Sequence, residues 1–187
     1  MPVEAIAPSP QVLATYQASL DDYFGPHAPE VQLFHLPVGI LSLEQLATGA
    51  TLADVVASGC RFFAAWPNGN VTSCEMTNPT IYGTADFRNI VQGDPARIPF
   101  RRILESHGLD ETQTASFALH FLSIPGVHFE GVHLVHQGDG SDLVLPVLSW
   151  DLDIATDAVL GEDAFLALVR PFAAARAALA SADPLSS

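Results

Sequence analysis

Lysine is absent from this chain. All seven basic residues are arginine, set against 21 acidic residues for a formal charge of −14. A surface so acidic repels phosphate backbones and anionic lipid, which argues against nucleic acid and membrane as partners. Charge of either sign is scarce: 15% of residues carry one, against roughly 25% in soluble domains. Polar chemistry must therefore come largely from Ser, Thr, Asn, His and backbone groups. No run of 18 uncharged apolar residues occurs, so no membrane-spanning helix is expected. Met1-Pro-Val-Glu4 lacks the basic start of a secretory signal, which gives a cytoplasmic expectation, with secretion lacking a classical signal peptide as the alternative. Cysteine is limited to Cys60 and Cys74, with no C-x-x-C pair. The two flank Pro67-Asn68-Gly69-Asn70, whose Asn-Gly centre suits a two-residue type I′ turn. That turn sets Phe63 opposite Cys74 and Cys60 opposite Thr77, so two free, mostly buried thiols are expected.

What the chain does have is apolar bulk. Its 187 residues are 49% hydrophobic, with a mean hydropathy of +0.28. A single domain of this size buries roughly 70% of its unfolded surface. Ser9-Pro10 begins a helix, with Val12, Leu13, Tyr16, Leu20 and Phe24 at helical spacing until Gly25-Pro26. Residues 31–38 read as a strand. Ser42-Leu-Glu-Gln45 and Thr51-Leu-Ala-Asp54 each open a short helix, stopped by Gly49 and Gly59. Residues 60–66 and 71–77 form the Asn-Gly hairpin, and Thr80 to Val91 is extended with Gly83 as a bend. Pro99 to His107 is a short helix ended by Gly108, and strands follow at 115–124, 127–137 and 142–152. Glu162 to Ala182 is an Ala-rich helix with Phe165, Leu168, Val169 and Phe172 on one face, and 183–187 is a frayed tail. The sum is a single α+β domain over 1–187: a mainly antiparallel sheet of about six strands, helices packed on one face and a long C-terminal helix.

Two tight turns point to a site. Asp139-Gly140 sets His128 opposite Asp151 and Glu130 opposite Ser149; Pro125-Gly126 sets Ser123 opposite His128. Ser123, His128 and Asp151 then form a row across three strands, with Glu130 beside them and Val132, Leu134, Leu145 and Val147 as an apolar floor. A polar end against an apolar floor suits a small-molecule pocket. Asp151 would orient His128 for proton transfer near neutral pH and Glu130 would act as a second base. Ser123 as nucleophile lacks a Gly-x-Ser-x-Gly elbow. The plain alternative is a cross-strand ion pair worth under about 1 kcal/mol. His120 and His133 lie on the other face across Gly131, whose missing side chain leaves space for a ligand, but two imidazoles fall short of the three or four ligands zinc usually takes, so no metal is expected. Arg88, Arg97, Arg101 and Arg102 group four cations in 15 residues and could meet an anionic ligand, Arg101 and Arg102 most directly, or pair with Asp94 and Glu105. Trp66 and the phenylalanines read as core, with Trp150 opposite Phe129 as a wall for a flat ligand.

Gly69-Asn-Val-Thr72, Asn78-Pro79-Thr-Ile-Tyr82-Gly83 and Gly93-Asp94, with Asp22-Tyr23-Phe-Gly25 and His35 upstream and Val127-His-Phe-Glu-Gly-Val-His-Leu134 downstream, resemble segments of the HasA-type haem-acquiring hemophores over about a third of the chain. The resemblance implies haem as cofactor with His35 as axial ligand. It departs where the family's Tyr ligand falls near Ser73 and where its partner His has no counterpart between Pro79 and Tyr82, leaving Tyr82, Cys74 or Met76 as substitutes. Three functions follow as expectations. The first is a soluble protein binding a largely apolar small molecule without a cofactor, acting as an acid–base enzyme of isomerase, cyclase or lyase type. The second is a haem carrier, and the third an acidic protein-interaction module of immunity or inhibitor type. A homodimer is compatible with each.

Overall fold

Pro10 supplies the fixed φ of a first helical position, and α1 runs Pro10–Phe24. It stops at Gly25, whose φ of 75° lets its N–H reach the Asp21 carbonyl at 2.9 Å. The computed structural model describes residues 10–25, 32–77, 87–112 and 117–182. The fold is α+β with eight strands, mostly antiparallel, where about six were expected. It resolves into two compact units, one combining Met1–Val38 with Ala57–Thr114, the other Gly39–Val56 with Ala115–Ser187. No helix among the described residues is long and apolar enough to cross a membrane.

The first unit carries β1 (Gln32–Ile40, continuing into the other unit), β2 (Val56–Ala65), β3 (Val71–Thr77) and β4 (Phe87–Gln92) in the order β4-β3-β2-β1, with α1 and the helix Asp94–Thr112. Alternation along β2 sends Phe62 and Phe63 to opposite faces. Tyr16 of α1 stacks flat on Phe62 at 4.1 Å, while Phe100 of the later helix meets Phe63 at 6.2 Å. The strands of this unit thus have a helix against each face. Cys60 and Cys74 share the Tyr16 face as free thiols, and burial pushes both up to about 12.

The expected hairpin register is off by one. Three residues, Pro67-Asn68-Gly69, make the loop, closed by the Trp66 N–H on the Asn70 carbonyl at 2.9 Å, with Gly69 at φ 81°. This is the bulged three-residue form rather than the two-residue turn. Phe62 therefore faces Cys74 and Cys60 faces Met76; the thiols still do not oppose each other. Gly59 stops no helix but lies inside β2, where an added Cβ would sit 2.1 Å from the Met76 carbonyl oxygen.

The helix expected from Pro99 starts five residues earlier, at Asp94, and passes through Gly108. Gly93 sets the start: at φ 74° its carbonyl accepts from the N–H groups of Ala96 and Arg97. Asp94 pairs with Arg97 across the first turn, as the sequence suggested. Pro99 lies inside this helix and, having no N–H, makes no bond to the Pro95 carbonyl. Of the extended stretch 80–91, residues 80–86 with Gly83 lie outside the described residues, as does the tail 183–187.

In the second unit α2 (Leu43–Ala47) has the capping box read from the sequence: the Gln45 N–H donates to Ser42 Oγ and the Ser42 N–H to Gln45 Oε1. Thr51 and Asp54 close a 3-10 turn over Leu52–Asp54 in the same way. We number Asp94–Thr112 α3 and the C-terminal helix, Glu162–Ala182, α4. Strands β5 (Phe117–Ile124), β6 (Phe129–His136), β7 (Leu143–Ser149) and the two-residue β8 (Leu160–Gly161) pair in sequence order, all antiparallel. Phe165, Leu166, Val169 and Ala173 of α4 pack onto Leu122, Ile124, Phe129 and Val144. Leu168 and Phe172 were expected on that buried face but are 44% exposed, because the i, i+4, i+8 ridge of Phe165, Val169 and Ala173 takes the core. Glu162, at the head of α4, accepts the Leu52 N–H at 2.9 Å, and Arg170 donates to the carbonyls of Gly49 and Ala50.

Candidate functional site

The His128–Asp151 contact forms, though not through the register that suggested it. Pro125-Gly126-Val127 is a 3-10 turn instead of a two-residue reversal. Leu43 lies so close to Gly126 that an added Cβ would meet its Cγ at 2.2 Å, so the turn needs glycine there. The longer loop shifts β5 against β6 by two: Ser123 faces Glu130, not His128. His128 leaves the ladder and takes a left-handed backbone, φ 46° and ψ 46°. It is the one non-glycine residue with positive φ among the described residues. Such a conformation costs roughly 1–2 kcal/mol and clusters at functional positions.

Asp151 arrives from the other side. Ser149, expected opposite Glu130, instead ends β7 opposite Phe129. Its hydroxyl donates to the carbonyls of Leu152 at 2.7 Å and Ile154 at 3.2 Å, folding the following turn. That turn brings Asp151 Oδ2 to 2.7 Å from His128 Nδ1 and 2.8 Å from Arg176 Nη2 of α4. With Asp151 as acceptor, His128 carries its proton on Nδ1 and leaves Nε2 as a base. The carboxylate is shared between the imidazole and the Arg176 guanidinium, and Asp151 thereby orients the ring.

Ser123, His128, Glu130 and Trp150 line one open cleft of about 370 Å³, together with Pro125, Phe129 and Leu148. A bulge between Glu130 and Gly131 sets Leu148 beside Glu130, and then Val132 opposite Leu145 and Leu134 opposite Leu143. Val147 is thereby displaced from the row expected of it. The apolar floor itself is closed: Val132, Leu134 and Leu145 are buried. The cleft thus stops at the polar end of the sheet. Trp150 does not face Phe129. It is 77% exposed with its ring 6.4 Å from His128, while the Phe129 ring packs on Phe165 at 4.9 Å.

His120 and His133 do share the opposite face, as direct cross-strand partners with ring centroids 6.2 Å apart. The space expected beside Gly131 is occupied: a Cβ there would lie 2.9 Å from the Phe129 ring and 3.0 Å from the Leu145 carbonyl. The sequence argument missed Asp142, whose Oδ2 lies 2.7 Å from His133 Nε2 and whose Oδ1 accepts the His136 N–H. Its carbonyl also accepts the Glu162 N–H. Burial lowers the pKa of both imidazoles; at His133 the carboxylates of Asp142 and Glu162 oppose this. The available signal is an acidic residue two positions beyond the Asp-Gly turn, at the head of the strand expected at 142–152. No cluster of three or more His, Cys, Asp or Glu among the described residues could hold a metal.

The arginines divide. Successive helical positions point about 100° apart, so Arg102 is buried while Arg101 is exposed beside Arg97 and Asp94 in the first unit. His35 lies on β1 with its ring 5.9 Å from Phe62. Cys74 and Met76 are packed with Tyr16 in the core; Tyr82 is outside the described residues. No protein-family model, curated protein or solved structure matches this chain.

Proposed function

We propose that the cleft at the His128 turn binds a largely apolar small molecule and performs acid–base chemistry on it, of isomerase, cyclase or lyase type. The observation that carries this reading is the meeting of Ser123, Glu130, His128 and Trp150 around one cavity, with His128 Nδ1 held by Asp151. His128 Nε2 would take a proton from the bound molecule, Glu130 would exchange a proton at a second position, and Ser123 would hydrogen-bond the ligand's oxygen. Trp150 and Leu148 would cover its apolar part. The left-handed backbone at His128, which caps the 3-10 turn, takes the imidazole out of the strand ladder and onto the cleft.

Cyclohexanone tests both halves, since its α-hydrogens exchange with solvent deuterium under acid–base catalysis. The expected result is amide shifts at Ser123, Glu130 and Leu148 on titration, and exchange that slows when His128 is replaced by alanine. Neither cyclohexanone nor indole perturbing the cleft would overturn the binding half. Exchange equally fast in His128→Ala would overturn the catalytic half.

A further inference from the structure

A polar cavity lies elsewhere, at the hairpin tip of the first unit. It holds about 470 Å³ and is lined by Trp66, Asn68, Asn70, Thr72, Gln92 and the Gly93 backbone, with Val71 behind them. None of these side chains is charged, on a chain with a formal charge of −14. The register explains the grouping. Thr72 faces Ala64 on one side and Gln92 on the other. Trp66 and Asn70, each two residues further toward the turn, fall on the same face by alternation. The small Ala64 side chain leaves room between them.

The lining is also held in place. Trp66 Nε1 donates to Thr72 Oγ1 at 2.9 Å, which fixes the indole plane. The Asn70 N–H donates to Asn68 Oδ1 at 3.0 Å, which orients that amide and leaves its NH₂ as a donor. Asn68, Asn70 and Gln92 are exposed and Trp66 is half-buried.

We propose that this basin binds a neutral saccharide. A pyranose presents hydroxyls around its rim, each both donor and acceptor, and C–H groups on its faces. Side-chain amides offer a donor and an acceptor side by side and match adjacent hydroxyls. An indole offers a broad apolar plane with a polar edge, suited to a C–H face. A charged ligand would call for a counter-charge, and an apolar ligand for walls without three amides. Pre-set side chains reduce the ordering cost of binding. This site uses no residue of the His128 cleft, so the two readings stand or fall separately.

The test is a titration of the full chain with glucose, N-acetylglucosamine and cellobiose, followed through amide and indole N–H resonances. At least one sugar should shift the Trp66 indole N–H and the amides of Asn70, Thr72 and Gly93 at millimolar concentration. Gln92→Ala, at an exposed strand end, should weaken that binding about tenfold. Trp66→Leu should abolish it, and His128→Ala should leave it unchanged. The proposal is overturned if none of the three sugars moves these resonances, if Gln92→Ala binds as well as the parent, or if glucuronate binds as tightly as glucose.

Discussion

Two His–Asp pairs in the second unit have the same 2.7 Å separation and opposite characters. At His133–Asp142 the imidazole side chain is 4% exposed, and its carboxylate also holds a backbone N–H of the β6–β7 turn. At His128–Asp151 the imidazole is 53% exposed, stands in a left-handed loop and borders a cleft. Distance alone does not tell the two pairs apart. Burial, the other bonds of the carboxylate and the conformation of the backbone do so.

The comparison can be broken most forcefully at Asp142. Asp142→Ala strips the buried His133 of its partner and leaves the His136 N–H unsatisfied, for an expected loss of about 2–3 kcal/mol in urea unfolding. Asp151→Ala should cost under about 1 kcal/mol, because its partners are half in water. Equal losses would erase the distinction drawn here.

Acid should separate the pairs next. Burial holds the pKa of His133 and of its neighbour His120 below the ordinary 6.5, against the opposing pull of Asp142 and Glu162. On unfolding both regain the ordinary value, so below it the unfolded chain binds more protons and stability falls with pH. The loss begins near pH 6.5 and ends at the depressed folded values. Its slope reaches up to about 1.4 kcal/mol per pH unit for each proton taken up. Urea midpoints between pH 7.5 and 5.5 should fall less steeply in His120→Asn than in the parent.

A smaller effect runs in the opposite direction. His128→Gly relieves the positive φ and should stabilise the chain by about 1 kcal/mol while removing the imidazole from the cleft. The same replacement at His133 should destabilise it. The smallest change is expected for Arg176→Ala, no more than about 1 kcal/mol and reduced further by salt, since its guanidinium is 43% exposed beside Asp151.

Much of the architecture was legible because it is written in local chemistry. Ser42 and Gln45 announce the start of α2, Pro10 and Gly25 bracket α1, and Glu162–Ala182 follows from its apolar spacing. Register was less legible, since it depends on how many residues a turn consumes. Pro67-Asn68-Gly69 uses three where Asn-Gly suggested two, and Pro125 to His128 uses four. Each difference moves side chains along or across the sheet. Glu130 and Ser123 still reached one cleft because the β5–β6 shift was an even number, which preserves the face. Asp151 met His128 only because Ser149 folds the intervening turn, a contact that alternation along a strand does not encode. The largely apolar indole of Trp66 reads as core in the sequence; its bond to Thr72 depends on the bulged hairpin.

The two thiols beneath α1 carry an experimental consequence. Cys60 and Cys74 titrate near 12 in the folded chain, so at neutral pH neither offers an appreciable fraction of thiolate to an alkylating reagent while Tyr16 lies over Phe62. Departure of α1 would restore ordinary reactivity, and the rate of iodoacetamide capture would then clock how often that helix lifts, with no dye, tag or engineered probe added to the chain.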